Sequence, residues 1–124
     1  MDDKTVNRYS DVELEEFKKI VTDKLAKARE QLDYYLNQLK AMNDSEDAKL
    51  KGLDDGTTAQ ELERISTYAL RQRKLIEHLE KALVRIHNKS YGVCRVTGKL
   101  ISKERLKAVP HATLSIEAKN NMSR

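Results

Sequence analysis

The sequence predicts a mainly α-helical protein: a long antiparallel helical hairpin, or coiled coil, followed by a small finger-like domain with a short β-hairpin and one or two short helices. Two long stretches carry apolar residues in steps of three and four, the spacing by which a helix packs along one stripe. Charged residues make up 35% of the 124 residues and aromatic residues only 5%, so apolar material for a thick globular core is scarce. The net charge of +4 is too small to indicate nucleic-acid binding by itself.

The first helix is predicted to begin directly after Ser10. Ser10 and Glu13 have the Ser-x-x-Glu spacing of a capping box, in which each side chain bonds the backbone N–H of the other residue. No Gly or Pro interrupts the stretch from Asp11 to Asn43, so one helix is expected to span it. Its predicted packing stripe consists of Leu14, Phe17, Val21, Leu25, Ala28, Leu32, Tyr35, Leu39 and Met42.

The second helix is predicted to begin near Thr58. Thr58 and Glu61 form another Ser/Thr-x-x-Glu box, and Gly56 just upstream is a natural break. The acidic segment 44–57 between the helices is the predicted tip, and two helices of similar length joined in this way pack antiparallel. Residues 1–89 therefore make up the N-terminal segment and the hairpin. The stripe of the second helix consists of Leu62, Ile65, Ala69, Gln72, Ile76, Leu79, Leu83 and Ile86.

Residues 90–124 are predicted to form the small finger-like domain. The segment 91–101 favours a short β-hairpin, and the Thr97-Gly98 pair supplies its turn. The domain is expected to dock on the end of the hairpin through Ile86 and Tyr91.

Two short helices are expected to complete this domain. Ser102 is placed to cap a helix over residues 103–109, which Pro110 ends. A last helix is expected to begin at His111 or Thr113. The apolar residues available to bury are Val93, Val96, Leu100, Ile101, Leu114, Ile116 and Ala118.

Cys94 is the single cysteine of the chain, and it stands in the frame of a four-cysteine zinc finger. The spacing of such a finger places the other three ligands on Thr97, Ser115 and Ala118. Structural zinc needs four thiolate or imidazole ligands, whereas alanine offers none and neutral hydroxyls offer little. We therefore expect no zinc and no other metal, with apolar packing in the structural role of the metal.

The three histidines do not alter that expectation. His78 and His87 lie nine residues apart on the second helix, which turns them to opposite sides. His111 could add one ligand to Cys94, but two ligands are too few for a structural zinc site.

The cysteine frame, with Gly92, the Thr97-Gly98 turn and Pro110, resembles the C-terminal finger of the DksA/TraR family of bacterial transcription regulators. The run RQRKLIEHLEKALVRI, which begins at Arg71, extends the resemblance into the second helix, and the order of hairpin and finger matches as well. The resemblance implies a regulator that binds RNA polymerase and inserts its hairpin into the secondary channel to modulate initiation. Family members commonly act with the nucleotide ppGpp, a candidate co-regulator for which the sequence identifies no site.

The resemblance also implies which residues act. The family's tip motif, Asp-x-x-Asp-x-Ala, falls on residues 51–56, where Asp54 matches, Asp55 adds a second carboxylate and Gly56 replaces the alanine. These three residues are the predicted tip effectors. The basic residues that the resemblance offers as polymerase contacts are Arg71, Arg73, Lys74 and Arg105.

Two alternatives remain open at this point. A structural coiled-coil protein that dimerises, or serves as an adaptor, would need only the two stripes. A transcript-cleavage factor also brings an acidic hairpin tip to polymerase, where Asp54 with Asp55 or Asp47 could hold Mg²⁺. The finger frame argues against such a factor, and we expect no enzymatic activity.

Other classes of protein fit less well. Sequence-specific DNA binding is not expected, because Tyr91 is the one aromatic residue of the finger and no recognition helix is evident. A single cysteine suits a reducing cytosol, and no apolar run is long enough to cross a membrane. We expect a cytoplasmic monomer.

Overall fold

The computed structural model describes residues 8–44 and 56–122. Within them lie four helices: α1 (Asp11–Asp44), α2 (Gly56–His87), α3 (Lys103–Ala108) and α4 (Ile116–Met122). The extended pairing among the described residues is one antiparallel bridge between Val93 and Leu100. The predicted mainly α-helical fold class, with a hairpin of long helices before a small finger, is confirmed, whereas the predicted β-hairpin is reduced to that single bridge.

The chain divides into two compact units. The finger unit comprises the chain up to Lys24 and from His78 onward, and the helix-pair unit comprises Leu25–Glu77. The first part of α1 and the last part of α2 thus belong to the same unit as the finger-like segment. The division into residues 1–89 and 90–124 stays a prediction.

Helix α1 begins with the predicted capping box. The backbone N–H of Ser10 donates to Glu13 Oε1 over 3.0 Å, and the N–H of Glu13 donates to Ser10 Oγ over 3.2 Å. Two N–H groups that the helix cannot satisfy are paired in this way. The predicted stripe faces inward: five of its residues are buried and the other four are half-buried. The five buried residues are Leu14, Phe17, Val21, Leu25 and Ala28.

Helix α2 begins at Gly56, two residues before Thr58, and the capping box predicted there stays a prediction because the side chain of Thr58 lies outside the described residues. The Glu61 carboxylate accepts hydrogen bonds from the Arg64 guanidinium. The predicted stripe is again inward, with Ile65, Ala69, Leu79 and Ile86 buried. Ala82 in the finger unit is fully buried as well, although the predicted stripe did not include it.

In the finger unit the two long helices run antiparallel. Lys89, just beyond α2, contacts Asp11 at the start of α1, with 3.2 Å between Nζ and Oδ1. The end of α2 therefore lies beside the beginning of α1. Among the described residues, no helix combines the length and apolarity needed to cross a membrane.

An aromatic cluster forms the core of the finger unit. The ring of Phe17 lies 5.3 Å from that of Tyr9 and 5.2 Å from that of Tyr91, measured between centroids. Tyr91 has no exposed surface, and its hydroxyl donates to the carbonyl oxygen of Pro110 over 2.7 Å. Burial raises the pKa of Tyr91 well above its usual value. Ile86 is 7% exposed, so the expected docking through Ile86 and Tyr91 matches the burial of both residues.

Helix α3 has the expected cap, because the N–H of Arg105 donates to Ser102 Oγ over 3.2 Å. Helix α4 begins at Ile116 rather than at His111 or Thr113. The reason is that Ser115 caps it, accepting a hydrogen bond from the N–H of Ala118 over 3.1 Å.

Two apolar residues expected in the core of the finger are exposed. Val96 is 54% exposed and Ile116 is 56% exposed. Val96 lies in the tight turn before Gly98, and Ile116 is the first residue of α4, directly after its cap. Both side chains therefore point into solvent. Ile101 is fully buried as expected, and Leu106, which was not among the expected core residues, is fully buried as well.

Candidate functional site

The four positions of the zinc-finger frame come together in the finger unit. Cys94 is 1% exposed and Ala118 is 2% exposed. The backbone N–H of Ser115 donates to Cys94 Sγ over 3.4 Å, and Thr97 contributes a hydrogen bond from its side chain to the same sulfur. The backbone turn closes through the N–H of Gly98, which donates to the Cys94 carbonyl over 2.8 Å. Hydrogen bonds therefore converge on the one sulfur that remains.

These hydrogen bonds change the acidity of the thiol. Burial alone would raise the pKa of Cys94, but hydrogen bonds from Thr97, Ser115 and Val96 outweigh burial and lower the pKa to about 6. The sulfur is thus mainly a thiolate at neutral pH. The Thr97 side chain, together with backbone N–H groups, supplies stabilisation of the kind that a metal ion gives to such an anion.

The donor set does not fit structural zinc. One thiolate, two neutral hydroxyls and a methyl group stand at the four ligand positions, and zinc requires four thiolate, imidazole or carboxylate donors. In the part of the chain that the structure describes, no group of three or more His, Cys, Asp or Glu side chains is arranged to hold a metal ion.

A basic groove of about 350 Å³ opens beside this frame. It lies where α2, α3 and the segment from Val109 to Lys119 meet, and none of its lining residues is acidic. Its basic lining consists of His78, Lys81, Arg85, Arg105, His111 and Lys119.

Two arginines of the basic groove are held in place by backbone carbonyls. Arg105 Nε donates to the carbonyl oxygen of Leu114 over 2.7 Å, and a terminal nitrogen of Arg85 donates to that of His111 over 3.5 Å. Burial lowers the pKa of Arg85, which is half-buried. Since a guanidinium has five N–H donors, each arginine retains donors for a ligand. The groove is chemically suited to an anion, above all a phosphate or a carboxylate.

Two histidines stack in the basic groove. The rings of His78 and His111 are nearly parallel, at 15°, with 5.5 Å between their centroids. Burial lowers the pKa of His111, and the nearby His78, Arg85 and Lys24 lower it further. These effects disfavour the charged form of His111. Its Nδ1 is buried and has no hydrogen-bond partner among the described residues.

Sequence reasoning missed this groove. From the sequence, His78 was considered as a partner of His87 on the same helix, and helical periodicity correctly places these two residues on opposite sides. His111 reaches His78 only because the chain folds back after Pro110. A partial signal existed in the concentration of basic residues after Ser90, but their convergence on one groove depends on tertiary packing.

The predicted site residues fall into three places. Arg105 lines the basic groove. Arg71, Arg73 and Lys74 lie exposed on α2 in the helix-pair unit. Of the tip effectors, Asp54 and Asp55 lie outside the described residues, and Gly56 is the first residue of α2.

Comparison with known proteins gives three consistent matches. Residues 89–121 match the family described as the prokaryotic dksA/traR C4-type zinc finger. The chain is 48% identical over 54 residues to the "RNA polymerase-binding transcription factor DksA" of Caulobacter vibrioides, a match covering 44% of this chain and 38% of that protein. It is 38% identical over 65 residues to "General stress protein 16O" of Bacillus subtilis, covering 52% of this chain and 40% of that protein.

The same fold occurs in a solved structure, that of the transcription factor DksA2 from Pseudomonas aeruginosa. The TM-score is 0.79, with 24% identity, over 90% of this chain and 84% of the other. The chain matches less than half the length of the two curated relatives. This chain differs from a C4-type finger, which has four cysteine ligands, in that it keeps only one of the four cysteines, Cys94. The finger of this chain is therefore similar in sequence to that of the DksA/TraR family, and the fold of the chain is similar to that of DksA2.

Proposed function

We propose that the protein is a non-enzymatic, cytoplasmic transcription regulator that binds bacterial RNA polymerase as a monomer. The observation that carries the proposal is the 48% identity, over 54 residues of the chain, to a protein named RNA polymerase-binding transcription factor. The likeness of its fold to that of DksA2 over 90% of the chain supports the same reading. By this proposal the hairpin enters the secondary channel of polymerase and modulates initiation.

Within this proposal the basic groove binds ppGpp. A guanosine polyphosphate carries several negative charges, and the groove offers Arg85 and Arg105 held by carbonyls, with no acidic side chain in its lining. Arginine is suited to such a ligand because its planar fork can pair with two phosphate oxygens at once. Polymerase itself could complete the site, since the groove is open to solvent on one side.

We also propose that the finger folds without zinc. The thiolate of Cys94 is stabilised by hydrogen bonds, and the aromatic cluster of Tyr9, Phe17 and Tyr91 buries apolar surface in the same unit. These contacts give the domain a core that does not depend on four metal ligands.

The tip proposal concerns Asp54 first, with Asp55 and Gly56 beside it. If one carboxylate near the catalytic elements of polymerase is the effector, Asp54→Asn should leave polymerase binding unchanged and abolish the effect on initiation. The matched control is Asp33→Asn, which removes an exposed carboxylate from α1. Retention of full activity in Asp54→Asn would show that the effector lies elsewhere.

The decisive experiment is binding to purified bacterial core polymerase, together with mass in solution and in vitro transcription with and without ppGpp. We expect a monomer that binds polymerase at or below micromolar concentration and changes initiation. Absence of binding together with a stable dimer would instead support a structural coiled-coil protein. Cleavage of nascent RNA in stalled complexes would support a cleavage factor.

The role of the basic groove is tested in the same transcription assay. Arg105→Ala should weaken the response to ppGpp while transcription effects without ppGpp persist. Lys107→Ala, an exposed basic residue on the same short helix that does not line the groove, is the control. Equal responses of the two variants to ppGpp would exclude the groove as its site.

A further inference from the structure

The helix-pair unit carries three tyrosines whose rings meet in series across its two helices. The rings of Tyr34 and Tyr35 on α1 lie 5.6 Å apart between centroids, and the Tyr35 ring lies 5.5 Å from that of Tyr68 on α2. Tyr35 is half-buried, whereas Tyr34 is 56% exposed and Tyr68 is 36% exposed. We call the side of the unit that carries these three rings the tyrosine face.

The packing of the two helices does not explain the exposed rings of the tyrosine face. An aromatic ring stabilises a fold through the apolar surface that it removes from water. Tyr34 keeps more than half of its surface in water, so its ring contributes little to the stability of the free protein. Exposed aromatic rings that cluster in this way are typical of a surface that another protein covers.

The tyrosine face carries opposite charges on its two helices. Glu30 lies four residues before Tyr34, which places it one turn away on the same side of α1. The guanidinium carbon of Arg71 on α2 lies 6.0 Å from the centroid of the Tyr68 ring. Both charged side chains are exposed, and neither forms an ion pair within the part of the chain that the structure describes. One helix therefore offers a carboxylate and the other a guanidinium.

The two charges lie at the same level of the helix pair. Glu30 is displaced from Tyr34 by about 6 Å towards the start of α1, and Arg71 from Tyr68 by about 4.5 Å towards the end of α2. The start of α1 and the end of α2 lie at the same end of the molecule, because both belong to the finger unit. Glu30 and Arg71 are thus displaced from the tyrosines in the same direction, by similar distances.

This arrangement is self-complementary. If a two-fold axis runs along the helix pair, α1 of one copy faces α2 of the other and every contact occurs twice. Glu30 of one copy then lies opposite the partner's Arg71, and Tyr34 opposite the partner's Tyr68. A surface that presented only carboxylates would be repelled by Glu30, and one that presented only cations would be repelled by Arg71. A second copy of the chain meets each charge with its opposite.

The rings are already held in place before a second copy binds. Gln38 Nε2 donates to the Tyr34 hydroxyl over 3.3 Å. Tyr35 lies between the other two rings, and Tyr68 lies between Tyr35 and Arg71. Because these contacts restrict the side chains in advance, less conformational entropy is lost on association.

We propose that the tyrosine face is the interface of a weak, symmetric homodimer of the free protein. Few residues form this interface, so we expect a dissociation constant on the order of 100 micromolar, well above the concentration at which the protein is expected to bind polymerase. The inference goes beyond the proposed function and does not depend on it, since the polymerase-bound form there is a monomer. Self-association covers this side of the hairpin and so withholds it from any other partner.

Sedimentation equilibrium of the full chain, at concentrations below and above that dissociation constant, tests the proposal. The wild type should change from monomer to dimer. Glu30→Arg and Arg71→Glu should each weaken association about 10-fold, because each places two like-charged pairs across the two-fold axis. An equimolar mixture of these two variants should associate as strongly as the wild type, since each changed residue then meets the opposite charge on the other variant.

Further variants separate the role of the ring from effects on folding. Tyr34→Ala should weaken association about 10-fold, whereas Tyr34→Phe keeps the ring and should retain most of it. The matched control is Leu70→Ala, which removes an exposed apolar side chain of α2 from outside the tyrosine face and should change association less than about threefold. All the changed side chains are exposed, so melting temperatures in dilute solution should equal that of the wild type.

Several results would overturn the proposal. Wild-type protein that stays monomeric at high concentration would reject the dimer. Association that is unchanged in both charge variants would place the interface elsewhere. Failure of the mixed variants to associate, when each alone is impaired, would show that Glu30 and Arg71 do not face each other across a two-fold axis. A wild type that stays monomeric, with binding to core polymerase lost in Tyr34→Ala, would assign the tyrosine face to polymerase instead.

Discussion

Replacing Gly92 by alanine probes the most crowded point of the finger unit. Gly92 has a φ angle of +80°, in the left-handed region that side chains rarely adopt. A Cβ added there would lie 2.6 and 2.7 Å from two ring carbons of Tyr9 and 3.2 Å from a methyl carbon of Leu106. The Tyr9 ring cannot simply turn aside, because its hydroxyl donates to the Ile101 carbonyl and its ring packs on Phe17.

The expected loss of stability has two parts. The left-handed backbone costs an alanine about 1–2 kcal/mol relative to glycine. Displacing packed groups to admit one methyl costs about 1–3 kcal/mol more. Gly92→Ala should therefore lower the free energy of unfolding by about 2–5 kcal/mol, and at about 4 °C per kcal/mol the melting temperature should fall by about 8–20 °C.

Gly98→Ala is the matched control. Gly98 has a similar φ angle, +74°, but nothing lies within 4 Å of the position its Cβ would take. It should show only the backbone part, about 1–2 kcal/mol. The difference between the two variants therefore isolates the crowding against Tyr9.

Thermal and urea denaturation followed by circular dichroism measure both variants. Repeating Gly92→Ala in a Tyr9→Ala background should reduce its cost to that of Gly98→Ala, because the ring that obstructs the methyl is gone. Equal losses for Gly92→Ala and Gly98→Ala, or an unchanged loss without the Tyr9 ring, would refute this account of the core.

Two further predictions concern charge and metal. Glu13 accepts from Ser10 and contacts Lys103 at 2.6 Å, and these contacts lower its pKa from 4.5 to about 2. The contribution of Glu13 to stability is therefore complete above pH 4.5 and is lost as the pH falls towards 2. In melting curves, Glu13→Gln should be less stable than the wild type at about pH 6 and equally stable near about pH 2. A difference in melting temperature that stays constant with pH would contradict this. The metal prediction uses a variant that restores the four cysteines through Thr97→Cys, Ser115→Cys and Ala118→Cys. A chelator should leave the melting temperature of the wild type unchanged, whereas the variant should bind one Zn²⁺ and melt at a higher temperature with zinc than without it. A wild-type melting temperature that depends on zinc, or a variant melting temperature that does not, would contradict this interpretation of the frame.

The helices were predictable because local interactions determine them. The capping box at Ser10 and the regular apolar stripes involve residues three or four apart, and the sequence displays that spacing directly. The start of α2 lies two residues before the predicted one. In the sequence Glu61 has two candidate local partners, Thr58 in a capping box and Arg64 one turn later, and the spacing alone does not rank them.

The candidate site was predictable only where spacing along the chain carries it. The frame of Cys94, Thr97, Ser115 and Ala118 follows from such spacing. The basic groove does not, since it joins His78 on α2 to His111 some thirty residues later through a fold of the chain. Whether Val96 and Ile116 are buried also depends on which side of a turn faces the core, and an apolar residue type does not decide that.

We propose that the finger keeps its frame without four cysteines because other contacts perform the two tasks of a structural metal. One task is to stabilise sulfur as an anion, and here the Thr97 side chain and the backbone N–H groups around Cys94 lower its pKa to about 6. The other task is to tie distant segments together. That is achieved by Tyr91, packed on Phe17 of α1 and bonded to the Pro110 carbonyl. Since the second set of contacts reaches into α1, a finger without zinc would depend on the long helices for its stability.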